Sequence, residues 1–73
     1  MTPDRRMADN MRRAIETDGD CISDLHLWRL GPGRLGAIVS VVTRTGRGEA
    51  DYREKLRRFA SLSHLTIEVR RVT

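Results

Sequence analysis

A single cysteine among 73 residues excludes an internal disulfide framework, because Cys21 has no partner within the chain. Long apolar runs are also missing. The longest apolar-dominated stretch, Leu35 to Val42, falls far short of the ~20 residues that cross a bilayer as a helix. Met1 is followed by Thr2, Pro3 and Asp4 rather than by a basic segment and an apolar signal core. Together with the unpaired thiol, this leads to the expectation of a cytoplasmic protein without a membrane segment. The sequence contains no CxxC or HExxH motif and no spacing that assembles a nucleophile, a base and an oxyanion site. Gly31-Pro32-Gly33 lies between two strand patterns instead of opening a helix, so it is not a phosphate-cradling loop. These absences argue against an enzyme.

The chain has the size of one small domain, residues 1–73. Chains this short bury only roughly 60% of their unfolded surface, so oligomerisation or a metal is a natural source of added stability. Thirteen arginines and one lysine stand against ten acids. Because the acids interleave with the arginines in both helical patterns, the excess reads as a solvated surface and not as a nucleic-acid footprint.

Helical spacing comes first. Thr2 is a suitable N-cap for Pro3 and Asp4, and Met7, Met11, Ala14 and Ile15 form one apolar stripe, which predicts a helix over Pro3–Thr17. Gly19 is placed to end it in the left-handed conformation. From Cys21 the period becomes two. Leu25 and Leu27 share one face, and Ile22, Asp24, His26, Trp28 and Leu30 share the other. The Gly31–Gly33 turn then leads to the β-branched run Ile38–Thr43, predicting an antiparallel hairpin. Glu49 to Ser61 returns to helical spacing, with Tyr52, Leu56, Phe59 and Ala60 on one face. The last strand, His64 to Arg70, turns Leu65, Ile67 and Val69 inward.

Two helices of this length cover one face of a three-stranded sheet, which predicts a two-layer α+β domain of αββαβ order. A right-handed crossover through the second helix makes the last two strands parallel and the sheet mixed. The other face is left open. With Ile22, Trp28 and Leu30 on it, self-association into a twofold dimer is the economical expectation.

Cys21, Asp24, His26, His64 and Glu68 are all capable metal ligands, although their spacing is not diagnostic. A histidine beside tryptophan on a strand is also commonly a packed, hydrogen-bonded residue. Cys21 reads first as a small buried hydrophobe, with an exposed, ligand-capable thiolate at a strand edge as the alternative.

The strings Asp24-Leu25-His26-Leu27-Trp28-Arg29-Leu30-Gly31-Pro32-Gly33, Gly36-Ala37-Ile38-Val39-Ser40-Val41-Val42-Thr43 and Ser63-His64-Leu65-Thr66-Ile67-Glu68-Val69 resemble the C-terminal cytosolic domain of cation diffusion facilitator transporters. The resemblance spans about residues 7 to 71. It implies a ferredoxin-like, metallochaperone-like fold, a homodimer, and binding of Zn²⁺, Co²⁺, Cd²⁺ or Ni²⁺ in or beside the dimer interface, which in full transporters promotes transport. No transporter helices accompany the domain in this chain, so it resembles either a stand-alone version of the regulatory domain or a fragment cut just after the last span. In both cases the expected role is regulatory, with no transport of its own and the cytosolic domain of a full transporter as a further partner. Ser23, Arg34, Val39 and Arg70 stand where relatives often place a ligand. On this reading His26, Cys21 and Asp24 form one candidate metal cluster and His64 with Glu68 another. The alternative is a dimerisation module whose metal sites have decayed.

Overall fold

The computed structural model describes residues 5–17 and 19–72. The elements run α1 (Arg5–Ile15), β1 (Cys21–Gly31), β2 (Arg34–Thr43), α2 (Glu49–Lys55) and β3 (Leu62–Arg71). The cap expected at Thr2, Pro3 and Asp4, and Asp18 of the first turn, lie outside the described residues. β2 occupies the middle of the sheet, antiparallel to β1 and parallel to β3. The result is an α+β domain with a three-stranded mixed sheet and two helices on one face, as the sequence predicts. No helix among the described residues is long and apolar enough to cross a membrane.

The period-two pattern of β2 decides where the core lies. Ala37, Val39, Val41 and Thr43 are buried, while the alternate Ile38, Ser40 and Val42 are half-buried on the opposite face. Met11 and Ile15 of α1, Tyr52 of α2 and Leu56 just beyond it close over the first set, together with Ile67 from β3. Burying side chains of this size contributes about 1.5–3 kcal/mol each, which ties the helical layer to the sheet. Gly19 follows α1 at φ +91°, the left-handed conformation expected of it.

Two expectations are corrected. The first concerns Ile22. Cys21 pairs with Val42 and Ile22 with Val41, but Asp24 pairs with Ser40, so Ser23 is an extra residue in β1. This β-bulge reverses the alternation behind it. Ile22 therefore turns into the helix-covered core, only 6% exposed, instead of joining Trp28 on the open face. Cys21, which strict alternation would place opposite Asp24, comes onto the same face as Asp24. The second concerns α2, which ends at Lys55 and not at Ser61. Past it the bonds tighten to three-residue spacing, Arg57 N–H to the Glu54 carbonyl (3.2 Å) and Phe59 N–H to the Leu56 carbonyl (3.1 Å). At its start, Gly48 N–H donates to Asp51 Oδ2 at 2.8 Å.

A buried polar knot fixes the end of the sheet beneath α2. Asp20 Oδ1 accepts from Thr43 Oγ1 at 2.6 Å and from Thr45 Oγ1 at 3.3 Å, while Oδ2 accepts from Arg47 Nη1 at 2.7 Å. Burial pushes the Asp20 carboxyl pKa up, but the Thr43 and Arg47 hydrogen bonds and the Arg47 charge outweigh it and hold the group below the ordinary carboxylate value. The Tyr52 hydroxyl is buried beside this knot. Burial raises its pKa.

Candidate interaction surface on the open sheet face

The strand registers set the open face in rows. Cys21, Val42 and Arg70 form one; Asp24, Ser40 and Glu68 the next; His26, Ile38 and Thr66 the third; Trp28, Gly36 and His64 the fourth. Among the described residues no helix lies over them. Adjacent rows are separated by two residues, about 6.6 Å.

Trp28 defines the fourth row. A Cβ added at Gly36 would lie 2.5 Å from Trp28 Cε2, so the indole lies directly on the backbone of β2, where only glycine leaves room. On the far side its ring meets His64, with centroids 6.5 Å apart at 57°. The sheet thus presents a tryptophan laid across the central strand, with the half-buried Ile38 and Val42 further along. Leu30, 44% exposed, falls between the paired positions Arg29 and Gly31, at the hairpin end.

Polar groups occupy the second and third rows. His26 Nε2 and Asp24 Oδ2 are 2.9 Å apart, and Asp24 Oδ1 accepts from the Leu25 N–H at 3.1 Å. Across the strands Ser40 Oγ donates to Glu68 Oε1 at 3.0 Å. Ser23 Oγ donates to the Ser40 carbonyl at 3.3 Å. Each carboxylate is held by a neighbouring donor, which gives the face a fixed polar pattern beside its apolar one.

For a metal, this set is incomplete. A structural zinc takes four protein ligands and a catalytic zinc three. Asp24 and His26 supply two, and among the described residues no three of His, Cys, Asp and Glu are grouped to hold an ion. The exposed Cys21 shares their face, in the row next to Asp24, without completing a group of three. His64 and Glu68 do not form the second cluster. They lie two rows apart, about 13 Å along β3, with Thr66 between them. Each has another neighbour, Trp28 for His64 and Ser40 for Glu68.

Sequence reasoning located Trp28, Asp24 and His26 but not Gly36, Ile38, Ser40 or Val42, the central stripe of this face. The signal for them lies in the same period of two in β2, on the side opposite its buried residues. No protein-family model matches the chain, and no curated protein matches it either.

Proposed function

We propose that this domain is a self-associating interaction module without transport activity of its own, whose open sheet face docks the same face of a second copy. The observation that supports this is the half-buried stripe of Trp28, Ile38 and Val42 on the sheet face away from the two helices. An apolar stripe on a domain this small is stabilised by a twofold copy of itself, which buries it at both ends of the same contact. The like domain of a full-length cation transporter is the second partner, on the strength of the sequence resemblance. Light scattering on the wild type and on Ile38→Glu tests the reading. Association that weakens in the variant supports it, and a wild type that stays monomeric at all concentrations refutes it.

Divalent-metal binding is the second reading, with Zn²⁺ the first cation to try and Co²⁺, Cd²⁺ and Ni²⁺ the others. The 2.9 Å approach of His26 to Asp24 favours it. Because one chain groups only two ligands, this reading requires further donors from a second copy, and metal binding would then stabilise the dimer by mass action.

A further inference from the structure

The two edges of the sheet differ in a way the open face does not explain. β1 is interrupted twice, by the extra residue Ser23 and by the shift between Arg29 and Gly31, and such irregularities blunt an edge against pairing. β3 pairs without a break from His64 to Arg71. Val72 N–H donates inward to the Thr43 carbonyl at 2.9 Å. Alternation along the strand then turns the N–H and C=O groups of Leu65, Ile67 and Val69 away from β2. The Arg53 guanidinium meets the Leu65 carbonyl on that outer side, at 3.2 Å.

We propose that a second copy of this chain adds to this edge, β3 antiparallel to β3 about a twofold axis at Thr66, to give a continuous six-stranded sheet. Chemical self-complementarity selects that register. With Thr66 on the axis and facing its own copy, His64 stands opposite Glu68 of the partner subunit, twice per dimer. On the helix side Leu65 stands opposite Ile67 of the partner subunit, also twice. Threonine pairs, apolar pairs and hydrogen-bonding or oppositely charged pairs are the cross-strand neighbours that stabilise antiparallel strands.

Neighbouring registers are poorer. Ile67 on the axis sets His64 against the partner's Arg70, and Glu68 on the axis sets two carboxylates face to face. Val69 on the axis pairs Glu68 with the partner's Arg70 but sets Ile67 against the partner's Arg71 and shortens the ladder. In the chosen register the Leu65 carbonyl accepts from the partner's Ile67 N–H, so Arg53 must release it. Arg53 keeps its ion pair with Glu49, at 2.8 Å, when it does so. Arg53 is thus a guard on the edge, of the kind that charged side chains provide.

Edge addition goes beyond the face-to-face docking proposed above and does not depend on it. It sets two open faces side by side on one surface, so both contacts together would assemble four copies with perpendicular axes. The test is residue-resolved amide hydrogen exchange in Trp28→Ser, which weakens face docking and takes from β3 only the ring contact with His64. From micromolar to millimolar chain concentration, the amides of Leu65, Ile67 and Val69 are expected to slow by about tenfold or more. The inward amide of Glu68 stays protected at both concentrations and reports the intact fold. Thr66→Lys sets two ammonium groups across the axis at an exposed position and abolishes the slowing. Equal exchange at both concentrations, or slowing that survives Thr66→Lys, overturns the proposal.

Discussion

Replacing Asp20 by Asn removes one charge from the polar knot and leaves its shape in place. Two short hydrogen bonds converge on this carboxylate, from Thr43 at 2.6 Å and Arg47 at 2.7 Å. Bonds to a charged acceptor contribute about 1.5–3 kcal/mol each and neutral ones about 0.5–1.5. Losing the charge on both therefore costs about 2 kcal/mol. The Asp20 side chain is fully buried and Arg47 is 29% exposed, so solvent screens the pair only in part. With a urea slope near 1 kcal/mol per molar, the unfolding midpoint should fall by roughly 2 M.

The pH dependence is the sharper readout. The Asp20 carboxyl is held below the ordinary carboxylate value in the folded protein, so its contribution is present above that value and is lost as pH falls through the lowered folded pKa. Urea titrations across this acid range, followed by circular dichroism, should show wild-type stability dropping more steeply than that of Asp20→Asn. A midpoint shift below about 0.5 M at neutral pH, or parallel acid profiles for the two proteins, would refute the assignment of the knot.

The bulge makes a second prediction: Ile22→Ala should cost about 2–4 kcal/mol by chemical denaturation while Leu30→Ala stays within about 0.5, and equal costs would return Ile22 to the open face. In Gly36→Ala, a Cβ 2.5 Å from the indole must lift Trp28 off the strand. A red shift of its emission is expected, and an unchanged spectrum contradicts the stacked geometry. Calorimetric titration with Zn²⁺ should show binding that weakens in His26→Ala. A wild-type isotherm unchanged by both His26→Ala and Cys21→Ser would remove the Asp24–His26 pair as a metal locus.

Local pattern carried the fold because each element's period matched its place in the two layers. The stripe Met7, Met11, Ala14 and Ile15 and the alternation of β3 both led directly to the core. Ser23 could not be read as a bulge, since its consequence lies in the register against Ser40 and Val41 and not in β1 itself. That one residue moved Ile22 into the core and Cys21 onto the open face. The end of α2 was equally hidden. Phe59 and Ala60 continue a helical period, yet the chain tightens after Leu56 and starts β3 at Leu62. The candidate site was legible through Trp28 and the Asp24–His26 pair on one strand. Its central stripe depended on pairing between strands, as did the separation of His64 from Glu68.

Self-association through the open face is tested most directly by isotope-filtered nuclear Overhauser spectra on a mixture of labelled and unlabelled chains. Contacts between copies involving the side chains of Trp28, Ile38 and Val42 are the predicted result. Spectra in which these three side chains show no contact with another copy, at concentrations where the chain is associated, would contradict it.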